Sequence, residues 1–351
     1  MGLSHSRGNK SITIQDVARA AGVSVSTVSR VLNDKDDVAP DTYQKVRGVI
    51  AEVGYTSSLA AKSLRSYRTG VIGLIMPDLE DPFCIQAMKG IHQAIVALDY
   101  DLIAFTSGSS RKHSKAEREQ HYVSLLNGSL TDGIIVVAPA AASFSTAAPV
   151  VAIDPNNQCP DCLTVVAANY AGALAAMEYL INLGHRRIGF IGGRPDLLCA
   201  QQRLQGYEDA LRQANVAPDP NLISIGDFSR PTGRECAQRL LSLAGPPTAI
   251  FAANDQSAMG AIEAARAVGR RVPDDLSVVG FDNIPEAVYF DPALTTVDQF
   301  IVKMGYVGTE MLVRLIGGER LETDLYEMPT QLVVRASCRA LEGGDSGSNT
   351  M

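Results

Sequence analysis

Three groups of residues in this 351-residue sequence combine types and spacing that chemistry can use. The first is SVSTVSR, Ser24 to Arg30. On a helix its outward face presents Ser26, Thr27, Ser29 and Arg30, small hydroxyls and one long cation, a set that suits the edges of a nucleic-acid groove better than a protein core. The second is a series of polar residues placed where apolar, β-branched runs end. Asp81 and Phe83 follow VIGLIMPDLE, Asp154 follows PVVAI, Asn254 and Asp255 follow TAIFAA, and Asp282 closes LSVVGF. Carboxylates and an amide that converge at strand ends can bond hydroxyl groups, and a ring beside them can stack on an apolar face. The third is CPDC, Cys159 to Cys162, with the spacing of a redox pair or half a zinc site. No second pair completes a zinc site, so reduced thiols in a surface loop between two core segments are expected. The five histidines lack metal spacing, and His185 in LGHRRI reads as a structural residue bonding backbone. No glycine-rich phosphate loop, nucleophile elbow or catalytic constellation occurs, which argues against an enzyme.

The elements that must position these groups fall into a head and a body. In TIQDVARAAGVSVSTVSRVL, Ile14, Val17, Ala18 and Ala21 recur at helical spacing behind a cap formed by Thr13 and Asp16. Gly22 supplies a turn, Val23 packs inward, and Ser24 caps a second helix with Val25, Val28, Val31 and Leu32 on its apolar face. A third helix starts at Pro40 and runs through Tyr43, Val46, Ile50 and Val53 to Gly54. From Gly70 onward, VIGLIM, YDLIAF, DGIIVV, PVVAI, RIGFI, TAIFAA and LSVVGF alternate with helical stretches such as Ile85 to Leu98 and Tyr170 to Leu183. That alternation predicts doubly wound parallel sheets, and the chain is long enough for two.

Charge divides the chain at the same place. The sequence carries a net −7, yet its first 68 residues hold ten Lys and Arg against six Asp and Glu, a basic head of +4 on a body of −11. A basic head suits contact with phosphates. Nothing in the sequence has the apolar length of a membrane span, and MGLSHSRGNK lacks the apolar core of a secretory signal, so a cytoplasmic protein without membrane attachment is expected. Six cysteines without a regular framework fit that compartment.

IQDVARAAGVSVSTVSRVLN, continuing through VRGVIAEVGYTSSLAAKSL, resembles the N-terminal signature of the lac repressor (LacI/GalR) family. The resemblance extends through DGIIVVA, GHRRIGFIGG, RLQGYEDAL, PTAIFAANDQSAMGA, VPDDLSVVGFDN and LTTVDQ, covering residues 12–340. It implies a helix-turn-helix head over 1–56, a hinge helix and linker over 57–69, a two-lobed periplasmic-binding-protein-like body over 70–340 with three chain crossings, and a disordered tail over 341–351. By that resemblance Val25, Ser26 and Arg30 read base edges, and Ser24 and Thr27 hold phosphates. Thr13, Ser29 and Asn33 complete the DNA-facing set. SSLAAKSL, Ser57 to Leu64, corresponds to a hinge helix whose Leu64 wedges into the minor groove. The sequence departs from the pattern at Ser57, Ser58 and Lys62, where the family often has proline, asparagine and arginine.

In the body the resemblance adds Arg203, Phe228 and Gln299 to Asp81, Phe83, Asp154, Asn254 and Asp282 as residues lining an effector cleft, with Cys84 and Cys199 beside it. Carboxylates, amides, one arginine and two rings suit a polyol or sugar. Here too there are departures: Cys84 stands where a second aromatic is common, Pro155 where sugar binders place arginine, and Ala167 and Ala168 where an Asp-Asn pair is frequent. The expected protein is a sequence-specific, homodimeric transcriptional repressor of double-stranded operator DNA, controlled by a sugar or sugar derivative, with no cofactor and no metal. A regulator answering to a purine-type corepressor is the nearest alternative. A solute-binding transport protein would share the body but have no use for the head.

Overall fold

The computed structural model describes residues 12–32, 35, 37–55, 68–108, 112–127, 130–160 and 162–341. The expected hinge helix with Leu64, the DNA-facing Asn33 and the tail beyond Leu341 lie outside the described residues. Leu341 itself, expected in the tail, is bound to the body, its N–H donating to the Leu183 carbonyl at 2.9 Å. The chain divides into two compact units, Met1–Thr69 and Gly70–Met351.

The first unit is built from three helices, α1 (Ile14–Ala21), α2 (Val25–Leu32) and α3 (Pro40–Val53). Helix α1 begins at a reciprocal cap: Asp16 N–H donates to Thr13 Oγ1, and the Asp16 carboxylate accepts from Thr13 N–H at 3.0 Å. Each such cap is worth about 1 kcal/mol. Gly22 ends α1 at φ 65°, the left-handed conformation that glycine adopts without strain. Ser24 Oγ accepts the Thr27 N–H at 3.1 Å to open α2. Val17, Ala18, Ala21, Val28, Val31, Val46 and Tyr55 form the core. Val25 departs from the expected apolar face, being 42% exposed. At the first position of α2 its side chain points past the α1–α3 core, which Val28 and Val31 fill one and two turns later.

The second unit holds two six-stranded sheets. The first lobe contains β1 (Val71–Met76), β2 (Asp101–Thr106), β3 (Gly133–Val137), β4 (Val150–Ile153), β5 (Leu163–Ala167) and a late strand, β11 (Leu325–Met328), in the order β11-β5-β4-β3-β1-β2. All its pairings are parallel. The second lobe contains β6 (Ile188–Gly192), β7 (Ile223–Ile225), β8 (Ala249–Ala252), β9 (Ser277–Asp282), β10 (Thr295–Asp298) and β12 (Gln331–Val333), in the order β12-β10-β9-β8-β6-β7. Both sheets are the doubly wound parallel sheets expected, and one edge pairing departs from that direction, β12 running antiparallel to β10. Only Pro329 and Thr330 separate β12 from β11 of the first lobe, so the chain enters the second sheet from the cleft side, where the parallel strands of that sheet end, and must run against them. Strands β1, β3 and β4 are buried along their whole length, as strands covered on both faces must be.

Helices α4 (Pro82–Ala97) and α5 (Lys115–Leu126) cover the first lobe, and α6 (Asn169–Asn182), α7 (Leu198–Gln213), α8 (Arg230–Leu241), α9 (Asp255–Ala267) and the short α10 (Glu286–Tyr289) belong to the second. Helix α11 (Ile301–Ile316) returns to pack on α4 and the first sheet. The chain therefore crosses between lobes three times, after β5, after β10 and between β11 and β12. Glycine makes the α4–α11 contact possible: a Cβ on Gly90 would lie 1.8 Å from the Val302 carbonyl oxygen, and one on Gly305 would lie 2.2 Å from that of Ala87.

The cysteines depart from expectation at one place. Cys159 and Cys162 form a disulfide and are buried rather than exposed in a loop. The turn that donates Cys162 N–H to the Cys159 carbonyl brings their Cα atoms to 5.6 Å, within disulfide range, and both side chains pack with Val150 and Ala152. His185 is structural as read, though it bonds hydroxyls as well as backbone: Nδ1 meets Thr248 Oγ1 at 2.9 Å, and Nε2 meets Ser277 Oγ at 3.0 Å and the Arg339 carbonyl at 3.1 Å.

Candidate functional site

The strand ends of both lobes of the second unit face a cavity of about 130 Å³, and all eight sequence-assigned cleft residues line it. From the first lobe come Asp81, which caps α4 by accepting the Cys84 N–H at 3.0 Å, Phe83 in the first turn of that helix, and Asp154 directly after β4. The second lobe supplies Arg203 from α7, Phe228 between β7 and α8, Asn254 at the start of α9, Asp282 at the end of β9 and Gln299 just after β10. Three of these have positive φ without being glycine: Asp154 at 49°, Phe228 at 73° and Asp282 at 117°. Such backbone costs about 1–3 kcal/mol per residue and persists where its surroundings fix it. For Phe228 the surroundings include Gly193, where any Cβ would lie 2.1 Å from the ring.

Arg203 is the hub of the second-lobe wall. Its guanidinium is buried and donates to Asn169 Oδ1 at 2.9 Å and to the Ala253 carbonyl at 2.6 Å. It lies 3.5 Å from Asp282 Oδ1 and 3.8 Å over the centre of the Phe281 ring. Gln299 Nε2 donates to that same Asp282 oxygen. Burial pushes the Asp282 carboxyl well above the usual carboxylate range, and Arg203 opposes the rise. Asp154 is raised by burial too, again against Arg203.

Bonding capacity separates these residues into two kinds. Asn254 bonds the protein through both polar atoms, its Oδ1 accepting the Ser257 N–H at 3.0 Å and its Nδ2 donating to the Phe228 carbonyl at 2.9 Å. Its place in the site is to cap α9 and hold Phe228, whereas its neighbour Asp255 is a buried brace. One Asp255 oxygen accepts the Ile284 N–H at 2.9 Å and the other the Thr296 hydroxyl. Burial holds its carboxyl up at about 7. Among the described residues Asp154 accepts no side-chain hydrogen bond, and Gln299 Oε1 is buried without a partner. The cavity therefore offers acceptors to whatever enters. Burial raises the Cys84 thiol far from its usual range and Cys199 to about 12, so both line the cavity as neutral thiols.

Asn169, which orients Arg203, escaped the sequence reading. It directly follows Ala167 and Ala168, which stand in place of the family's frequent Asp-Asn pair, and the available signal was an amide side chain just after the apolar run LTVVA; the structure buries it at the start of α6.

In the first unit Ser24, Val25 and Ser26 are exposed at the start of α2. Ser24 Oγ lies 2.7 Å from Ser26 Oγ and 2.8 Å from Thr27 Oγ1, so three hydroxyls cluster at the positive end of the helix. Arg30 is exposed on the same helix, its Nε 3.5 Å from Asp37. Thr13 is exposed at the start of α1, with its hydroxyl engaged by Asp16 at 2.7 Å.

A three-helix head with a polar second helix, joined to a two-lobed body that closes on a cleft, defines a ligand-responsive DNA-binding protein of helix-turn-helix type. Comparison with known proteins agrees. Residues 13–58 match the family model for bacterial regulatory proteins of the lacI family, and residues 177–338 match that for the periplasmic binding protein-like domain. The ribose operon repressor of Halalkalibacterium halodurans is 34% identical over 342 residues, covering 96% of this chain and 99% of that protein. The transcriptional repressor PurR of Aliivibrio salmonicida is 31% identical, over 94% of this chain and 99% of its own length. Among solved structures, the lac repressor dimer bound to operator and the anti-inducer ONPF matches with a TM-score of 0.81 at 27% identity, over 94% of this chain and 100% of that one. The chain belongs to the lacI family of bacterial regulatory proteins. It is a DNA-binding transcriptional regulator with a ligand-binding body, not an enzyme.

Proposed function

We propose that this regulator represses transcription as a homodimer on double-stranded operator DNA, and that a sugar or sugar derivative in the cleft controls its affinity for that DNA. The observation that carries the ligand class is the bonding left open in the cavity. Asp154 and the buried Gln299 Oε1 are acceptors, Phe83 and Phe228 supply rings, and a polyol brings hydroxyl donors together with an apolar face. A volume of about 130 Å³ favours a ligand the size of a single sugar ring. The similarity to a ribose operon repressor points the same way. One recognition helix reads only a half-site, so two heads are needed for a symmetric operator, and the cytoplasm, where that DNA lies, is the place of action.

In this reading Val25, Ser26 and Arg30 face base edges. Ser24 and Thr27 hold the phosphates, Thr13, Ser29 and Asn33 complete the DNA-facing set, and Leu64 wedges the minor groove. The domain limits are those proposed from sequence except that Leu341 belongs with the body, and 57–69 acts as the hinge between head and body. A thermal-shift screen of pentoses, hexoses, sugar acids and nucleobases tests the ligand class. Stabilisation by a monosaccharide is expected, and stabilisation by nucleobases alone would replace the sugar reading. With an operator selected from random duplexes, Arg30→Ala should weaken specific binding by about 1–3 kcal/mol and non-specific binding far less. An equal loss on both DNAs, measured by gel shift, would make Arg30 a phosphate contact only.

A further inference from the structure

The Cys159–Cys162 disulfide is placed where its opening would be felt by the cleft. The loop it closes joins β4 to β5 and begins with Asp154, which lines the cavity. Two residues on, the Asn156 carbonyl accepts the Leu198 N–H at 3.0 Å, a hydrogen bond from the second lobe at the first turn of α7. The same helix carries Cys199, on the cavity wall, and Arg203, the hub of the second-lobe wall. One short covalent ring thus anchors a loop that contributes both a cleft carboxylate and a bond between lobes.

The bridge is also reachable. Cys159 and Cys162 line a second, larger hollow of about 440 Å³, which shares Asp154 and Cys199 with the cleft cavity. A ring of four residues constrains little unfolded chain, so the bond contributes little to global stability by that route. Disulfides in a reducing compartment are most often redox-active rather than structural.

We propose that Cys159 and Cys162 form a thiol–disulfide switch that regulates the cleft, a site for a low-molecular-weight thiol and its disulfide. In the opening step a thiolate attacks one bridge sulfur, forming a mixed disulfide and releasing the other cysteine as a thiolate. A second thiol then displaces the first cysteine. Two thiols become one disulfide, two electrons pass to the protein, and both cysteines take up protons. Opening frees residues 159–162 from the ring, slackens the loop that carries Asn156 and its bond to Leu198, and lets Asp154 move relative to Arg203. The effect on the cleft rests on the ligand-binding reading above, but the redox step and the loosened bond do not.

The test therefore needs no effector. The full chain is equilibrated in glutathione buffers of graded ratio, its thiols are trapped by alkylation, and the oxidation state of the pair is read by mass spectrometry beside hydrogen exchange of peptides covering 154–162 and 195–200. The pair is expected to titrate across the glutathione range, with the Leu198 amide exchanging about tenfold faster in the reduced protein. C159S/C162S should exchange at the fast rate in every buffer, and C199S should respond as the parent does. Wild-type protein reduced and alkylated in its folded state provides the open form should the double variant fail to fold. The proposal is overturned if the pair stays reduced throughout, if Leu198 exchanges equally in both states, or if the response survives in C159S/C162S. A sugar screen without hits, alongside a positive exchange result, would refute the effector class and leave the switch standing.

Discussion

Replacing Arg203 with alanine should act on stability before it acts on binding, because the cavity wall is an ion pair and not a pair of independent ligand contacts. The substitution removes the donors to Asn169 and the Ala253 carbonyl and the cation over Phe281, and it leaves Asp282 buried with only Gln299 to donate to it. Stripping the partner from a buried charge costs about 3–5 kcal/mol. At roughly 2–4 °C per kcal/mol for a unit of this size, the body should melt on the order of ten degrees lower at pH 8. The loss must shrink in acid. Asp282 is already raised by burial, and without Arg203 it rises further above its unfolded value of about 3.9. A carboxyl raised in the folded state takes up its proton there first, so the penalty is absent below the unfolded value and grows as pH climbs through the folded one. Melting curves at pH 5 and pH 8 test this, and Asp282→Asn supplies the control, since its amide oxygen can still accept from Gln299. R203A/D282N should recover most of the stability lost in R203A at pH 8. Additive losses in the double variant, or a penalty independent of pH, would refute the ion-pair account.

Two further outcomes follow from the same wall. Gly193→Ala should push the Phe228 ring off its seat, given a Cβ only 2.1 Å away, and lower the affinity for the sugar that the screen identifies by about tenfold while operator affinity holds; unchanged calorimetric affinity would remove Phe228 from the ligand contacts. Asp255, raised to about 7 by burial, takes up its proton in the folded state before the unfolded chain does, so its contribution to stability falls as pH rises from about 4 to 7. Asp255→Asn should therefore lose less stability than the parent across that window in urea titrations, by roughly 4 kcal/mol at most, the free energy of holding a proton at about pH 7 that the unfolded chain releases near pH 4; parallel curves would contradict the buried-acid assignment.

Periodicity made most of the fold legible. Helices α1 to α3 and the apolar strands β1, β3, β4, β8 and β9 carry strong hydrophobic patterns and sit where they were expected. The strands that were not read, β5, β7, β10, β11 and β12, are short or mixed in character, and β11 and β12 become strands only by pairing with edges formed far earlier in the chain. Those two also complete the third crossing, so the feature that joins the lobes was visible through family resemblance and not through local pattern. Val25 shows the limit of helical spacing, which marks an apolar residue as core-facing even where the first turn points it outward.

For the cleft, residue type and strand-end position were enough to gather the eight residues but not to say what each is free to do. Asn254 and Asp81 both read as ligand contacts. In the structure Asn254 spends both its polar atoms on α9 and Phe228, and Asp81 spends one oxygen on α4. A sequence lists donors and acceptors, while only the fold shows which are already satisfied, and a satisfied group gains little by meeting a ligand. What stays open is divided between the lobes, Asp154 on the first and Gln299 Oε1 on the second. In the proposed reading this division is what lets a small ligand act as a switch. A polyol that donates to both acceptors at once binds only one separation of the lobes well, and its differential affinity for that arrangement is the energy available to shift the protein's preference for DNA.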